Sequence, residues 1–215
     1  MTYLQKQKKK LQRQFRKYGK SLFSFTNIAV LAVVLLTGSV ILHSVYEKKS
    51  IYTADLLSTI AKVESKGNYN AYFGNATNAE VIFTAMPVRD VLAWQNEFIA
   101  QGNASSAVGR YQFVNTTLSE LVTQLRIDSS TLFDKQLQDK LAVALLERRG
   151  LQAYISKQIT RDEFAHNLSM EWAALPRVIG DNPNQSYYEG DGLNQARLSI
   201  DEIYAGIDSL HEVDG

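Results

Sequence analysis

Apolar residues recur at helical spacing through most of the chain beyond residue 50. The first periodic run predicts a helix over residues 53–65, with Thr53 as its N-cap. A second helix is predicted to begin near Met86, with Pro87 in its first turn, where a missing N–H is tolerated. Further helices are predicted at residues 116–126, 134–149 and 151–157. The buried stripe of the first helix consists of Leu56, Leu57, Ile60, Ala61 and Val63.

Two capping boxes mark the starts of later helices, TRDE at residues 160–163 and SIDE at residues 199–202. Between them, residues 177–197 read as a long polar loop with two tyrosines, and loops of this length are usually functional or disordered. The run VIF at residues 81–83 predicts a short strand, and one small hairpin is expected besides. The fold class predicted is mainly α with a small β element, an α+β fold.

Charge divides the chain into two parts. The first 20 residues contain eight Lys/Arg and no acid, whereas residues 47–215 contain 15 Lys/Arg and all 22 Asp/Glu, a net charge of −7. A basic tail on an acidic body indicates two segments with separate roles. Nucleic-acid binding by the tail is one interpretation, but the next segment explains the charges better, and we expect no nucleic-acid partner.

Residues 28–46, IAVLAVVLLTGSVILHSVY, contain no Asp, Glu, Lys or Arg. Nineteen helical residues span roughly 28 Å, close to the thickness of about 30 Å of a bilayer core. The upstream bases place the N-terminus in the cytoplasm and the C-terminus outside. We therefore predict a basic cytoplasmic tail at residues 1–26, a transmembrane signal anchor at residues 27–46 in contact with the lipid bilayer, and an exported domain at residues 50–212. A cleaved signal peptide and a buried core helix are the alternatives, and no A-x-A-like cleavage site supports the first.

Several kinds of chemistry are excluded by residue type. The chain has no cysteine, so thiol catalysis, disulfides and thiolate metal sites are absent. Its three histidines, His43, His166 and His211, have no metal-ligand spacing, and no Gly-rich phosphate loop is present. We expect neither a metal nor a cofactor, which leaves carboxylate chemistry.

Glu64 is the candidate acid, because it lies where the first predicted helix meets a loop rich in Gly, Asn and Tyr. Cleavage of a glycosidic bond needs a carboxylic acid whose pKa is raised by apolar surroundings. An ordinary solvated helix end is the competing interpretation. The stretch SSAVGRYQF at residues 105–113 adds a glycine for close approach, a tyrosine for stacking and a glutamine for hydrogen bonds to a sugar.

Three ordered motifs together resemble the lysozyme-like lytic transglycosylases of the phage lambda endolysin type and related phage muramidases. They are VESKGNYNA at residues 63–71, SSAVGRYQF at residues 105–113, and EWAALP at residues 171–176 after ERRG at residues 147–150. The stretch MPVRDVLAWQ, residues 86–95, strengthens the likeness to phage proteins that degrade cell walls. The resemblance covers nearly all of the predicted exported domain.

The resemblance implies a lysozyme-like fold and an enzyme that cleaves the β-1,4 bond between N-acetylmuramic acid and N-acetylglucosamine in peptidoglycan glycan strands. It implies that Glu64 protonates the bond and then, as a base, lets the muramic acid 6-hydroxyl close a 1,6-anhydro ring. By motif match, Tyr111 and Gln112 line the cleft and Ser106 contacts sugar or orients Glu64. We add Tyr187 and Tyr188, from the long loop, as further substrate-binding residues.

Two alternatives stay open at this point. A two-carboxylate muramidase would use Glu80, Asp90 or Glu189 beside Glu64, and the distance between the carboxylates decides that case. A non-catalytic wall-binding or structural virion membrane protein is the other. The biological setting is either a phage, with virion proteins as partners, or a bacterial secretion machine. In both settings the catalytic domain is expected to be periplasmic or otherwise extracytoplasmic, on a single-pass protein of a cell or virion membrane.

Overall fold

The computed structural model describes residues 50–213, and helices dominate this part of the chain. The predicted tail at residues 1–26 and the predicted anchor at residues 27–46 lie outside the described residues. Of the helices within residues 50–213, none combines the length and the apolar character needed to cross a bilayer. The elements are β1 (Ser50–Tyr52), α1 (Ala54–Ser65), a 3-10 turn (Phe83–Ala85), α2 (Val88–Ala100), α3 (Asn115–Gln124), α4 (Lys135–Arg148), α5 (Leu151–Ile155), α6 (Arg161–Ser169), α7 (Ile200–Asp208) and β2 (His211–Val213).

The helices follow the predicted boundaries to within about two residues. Both capping boxes form: Thr160 accepts from the backbone N–H of Glu163, Ser199 accepts from that of Glu202, and each glutamate bonds back to its cap. Thr53 holds the N-cap position of α1, but its side chain makes no capping hydrogen bond. The prediction of a mainly α fold is therefore confirmed, and the two predicted capping boxes form at the starts of their helices.

The small β element lies elsewhere than predicted. The strand expected at residues 81–83 is wrong, because Phe83 starts a 3-10 turn and the two-stranded sheet pairs β1 with β2. Two asparagine side chains explain this difference. Asn78 Oδ1 accepts from the N–H of Val81, and Asn70 Oδ1 accepts from the N–H of Thr84, so side chains take backbone donors that a strand would give to a neighbour.

Helix α1 is held against α7 by close packing. Leu56 and Ile60 are fully buried in the core, and α7 presents Gly206 to them. A Cβ built at Gly206 would lie 3.1 Å from Leu56 Cδ1, so the glycine allows a shorter distance between the helices than a larger residue would. The packing against α7 consequently holds α1, and with it Glu64 near its end, in a fixed position.

The long loop predicted at residues 177–197 is present and folds back onto the segment at residues 170–176. Ser186 is fully buried, and its hydroxyl donates to the Ala173 carbonyl at 2.7 Å. The N–H of Arg177 donates to the Gln185 carbonyl at 2.9 Å, which closes the loop on itself. These hydrogen bonds therefore join residues 170–176 and the long loop into one unit.

Candidate active site

A cleft of about 750 Å³ opens beside the end of α1. Segments far apart in sequence supply its lining, which is the arrangement expected of a substrate site rather than a packing defect. The lining consists of Glu64, residues 72–76, several residues between 104 and 117, Arg148, Arg149, residues 170–173, Tyr188, residues 193–195 and Arg197.

Glu64 lies in the last turn of α1, and its side chain is only 8 % exposed. The helix ends one residue later, at Ser65, because Lys66 adopts the left-handed conformation and its N–H bonds back to the Ala61 carbonyl. Glu64 Oε1 accepts a hydrogen bond from the N–H of Ala174 at 3.2 Å, and Oε2 lies 4.0 Å from an Arg197 nitrogen.

Burial raises the pKa of Glu64 above its usual range. The Ala174 N–H and the Arg197 charge act in the opposite direction, but both are outweighed by desolvation. The result is a carboxyl group that holds its proton to higher pH than a solvated glutamate, beside a cleft. That is the property required of a general acid.

The loop at residues 105–113 is joined to the end of α1 through Ser65, whose hydroxyl donates to the Arg110 carbonyl at 2.7 Å. Gly109 is required in this loop because its φ is +80° and an added Cβ would lie 2.5 Å from Gln138 Oε1. Gln112 follows with φ of +53° and lines the cleft, as predicted, while its amide donates to the Gly109 carbonyl.

Two predicted substrate contacts are corrected by the structure. Tyr111 is 2 % exposed and its hydroxyl donates to Asp139 at 2.7 Å, with burial raising its pKa. Ser106 is 3 % exposed and its hydroxyl both donates to the Asn115 side chain and accepts from the Asn115 N–H. These contacts hold both side chains in the core, away from the cleft lining, so each stabilises the loop instead of reaching a sugar.

The two tyrosines of the long loop differ in position. Tyr188, predicted to bind substrate, lines the cleft, and its hydroxyl donates to the Met170 carbonyl at 2.7 Å. Tyr187 is 44 % exposed and does not belong to the lining; its ring packs edge-on against His166 and Tyr188. Only Tyr188 is therefore placed to contact a ligand in the cleft, and Tyr187 supports it from outside.

The second carboxylate of the cleft is one that the sequence prediction missed. Glu80, Asp90 and Glu189 are all exposed and none lines the cleft. Instead, Glu171 lines it at 7 % exposure, paired with Arg149 at 2.8 Å. Glu171 belongs to the motif EWAALP and Arg149 to ERRG. The sequence therefore contained both residues in recognised motifs, but it did not show that they form an ion pair.

Three arginines, Arg148, Arg149 and Arg197, also line the cleft and were missed as site residues. Arg197 is the last residue of the long loop. Its side chain is 60 % exposed and lies near Glu64. Within residues 50–213, no group of three or more His, Asp or Glu side chains could hold a metal ion. The charged side chains of the cleft lining are two glutamates and three arginines.

Comparison with known proteins identifies one family. A family model described as Endolysin matches residues 54–196, from the first residue of α1 to the residue before Arg197. No curated protein and no solved structure matches the chain.

Proposed function

The chain belongs to the endolysin family of phage enzymes that degrade peptidoglycan, and we propose that it is a lytic transglycosylase. Its substrate is the β-1,4 bond between N-acetylmuramic acid and N-acetylglucosamine, and Glu64 is its acid and base. The observation that carries the proposal is the state of Glu64: a carboxyl group 8 % exposed, with a raised pKa and with Arg197 only at 4.0 Å.

The proposed reaction begins with proton transfer from Glu64 to the glycosidic oxygen, which leaves with N-acetylglucosamine. Positive charge develops at C1 of the muramic acid, and the Glu64 carboxylate that remains is stabilised by the Ala174 N–H and by Arg197. The carboxylate then accepts the proton of the muramic acid 6-hydroxyl while that oxygen bonds to C1. A 1,6-anhydro ring results, Glu64 is protonated again, and no water is consumed.

A second candidate function is hydrolysis by two carboxylates, and the position of Glu171 in the cleft favours keeping it. A muramidase would need Glu171 as a base or nucleophile in addition to Glu64. The ion pair with Arg149 already occupies one Glu171 oxygen and neutralises its charge. The Glu171 carboxylate is thus already engaged by a structural partner, which supports the single-carboxylate mechanism.

The products separate the two reactions. The full-length chain in detergent should be incubated with purified peptidoglycan, and the fragments weighed by mass spectrometry. Anhydro-muramic ends, lighter by one water than hydrolysed ends, are expected. Reducing ends would replace the proposal with hydrolysis. The absence of any product from a folded sample would favour a wall-binding or structural role.

We also propose that residues 27–46 cross the membrane, with the N-terminus cytoplasmic and the catalytic domain outside. The support is in the sequence: eight bases upstream of nineteen residues without Asp, Glu, Lys or Arg. Family membership favours the phage setting over a bacterial secretion machine. Protease added to intact spheroplasts should remove a C-terminal tag and spare an N-terminal one. Protection of both tags would contradict this orientation.

A further inference from the structure

The cleft differs in charge from the domain around it. Residues 50–213 contain 13 Lys/Arg and 20 Asp/Glu, whereas the cleft lining contains three arginines and two glutamates. The lining thus has a formal charge of +1 within an acidic domain, which favours anions in the cleft over the rest of the surface. The charge distribution therefore indicates that the ligand carries negative charge close to where it is bound.

The three cleft arginines are not equally available. Arg149 is bound to Glu171 at 2.8 Å and to the Met170 carbonyl, with 27 % of its side chain exposed. Arg148 pairs with Glu120 at 3.5 Å and is 29 % exposed. Arg197 is 60 % exposed, and its ion pair with Glu64 is long, at 4.0 Å. Arg197 is consequently the cleft arginine with the most donors left for a ligand.

The backbone of Arg197 is fixed although its side chain is open. Its N–H donates to the Ala174 carbonyl at 2.7 Å, and the N–H of Ala174 donates to Glu64 at 3.2 Å. The backbone of Ala174 thus positions both Glu64, the proposed acid, and Arg197. A guanidinium group offers five N–H donors in a planar fork that matches a carboxylate.

We propose that Arg197 is a specificity-determining residue that binds a free carboxylate of the peptide stem on the muramic acid at the cleaved bond. The inference rests on the proposed function, because it concerns the substrate of the same cleft. The stem begins at the lactyl group on O3 of the muramic acid, the sugar whose C1 bond breaks, and it carries free carboxylates. A carboxylate bound to Arg197 also offsets the attraction of this arginine for ionised Glu64, so the acid stays protonated once substrate is in place.

The test compares two walls and three proteins. Purified peptidoglycan is used either untreated or with its stem carboxylates converted to amides by carbodiimide coupling. The full-length chain, Arg197→Gln and Arg89→Gln are assayed on both. Arg89 is a matched control because its side chain is 56 % exposed and lies outside the cleft lining.

Amidation should lower the kcat/KM of the unchanged chain by about tenfold, the size expected for loss of a charge-assisted contact that is partly solvated. Arg197→Gln should show that loss already on untreated walls, mainly in KM, and should be insensitive to amidation. Arg89→Gln should behave as the unchanged chain does. Arg197→Lys, which keeps the charge without the fork, should recover part of the difference and guards against a folding defect in the glutamine variant.

Equal sensitivity of the unchanged chain and of Arg197→Gln to amidation would overturn the inference while leaving the proposed function intact. Arg197 would then act on Glu64 alone. If the unchanged chain released no fragments from untreated walls, the proposed function would fail, and the stem-binding role would fail with it.

Discussion

Two glutamates line the cleft and are almost equally hidden from solvent, Glu64 at 8 % exposure and Glu171 at 7 %. Their partners differ. Glu171 is paired with Arg149 at 2.8 Å, whereas Glu64 has a backbone N–H at 3.2 Å and a guanidinium nitrogen only at 4.0 Å. Burial of a carboxyl group without a close cation disfavours its charged form, whereas a close cation offsets that effect. The same residue type is thereby suited to proton transfer at one position and to structural support at the other.

The largest effect is expected for Glu64→Gln, which keeps the shape of the side chain and removes its proton. Loss of a general acid typically lowers rates by about 10²–10⁴-fold. Fragment release from peptidoglycan should fall by at least a hundredfold, with the far-UV circular dichroism spectrum unchanged. Wall cleavage at the original rate would show that Glu64 is not the acid.

Glu171→Gln should instead damage the fold. The change leaves Arg149 half-buried without its anion, and because Arg149 is 27 % exposed we expect a loss of about 2–3 kcal/mol in the free energy of unfolding, less than for a fully buried pair. Urea titration measures it. The double variant Arg149→Gln, Glu171→Gln should recover part of the loss, and if it were as unstable as the sum of the single variants, the pair would have no coupling.

The pH dependence of stability should report the burial of Glu64. Folding raises the pKa of Glu64, so the contribution of its protonated form is complete below the unfolded value near 4.5 and is lost as pH rises through the folded value. Glu64→Gln should therefore melt at the same temperature as the unchanged chain in acid and at a higher temperature at neutral pH. A constant difference across that range would contradict a raised pKa.

The smallest effect concerns Arg197→Gln and the pH profile of cleavage. Arg197 lowers the pKa of Glu64, so its removal should move the alkaline limb of kcat/KM, which reports the free enzyme, to higher pH. The movement should be small, because the two groups are 4.0 Å apart and the arginine is largely solvated. Added salt should reduce the difference between variant and unchanged chain, and the Arg89→Gln profile should not move.

Local signals made much of the fold predictable. The capping boxes at Thr160 and Ser199 form as written, and the end of α1 lies at Ser65, where the helical pattern gives way to Gly and Asn. These features depend on residues three or four positions apart. Glu64 could be singled out for the same reason, since its place at a helix end is local information.

The features that were not predicted depend on contacts between segments that are distant in sequence. The Arg149–Glu171 pair joins residues 22 positions apart, and Tyr111 meets Asp139 across 28 positions. Sequence shows that a tyrosine and a glutamate are present, but the path of the chain determines which one faces the cleft. For this reason the sequence prediction placed Tyr111 in the cleft and missed Glu171.

Gly109 restricts how this domain can vary. Its left-handed conformation is one that other residues rarely adopt, and its neighbour Gln138 donates to the Tyr69 and Phe133 carbonyls and accepts from the Arg110 N–H. A side chain at position 109 would therefore strain the backbone and also disturb the three hydrogen bonds of Gln138. In a saturation library selected for wall clearing, position 109 should tolerate fewer substitutions than Gln112, although Gln112 lines the cleft and Gly109 does not.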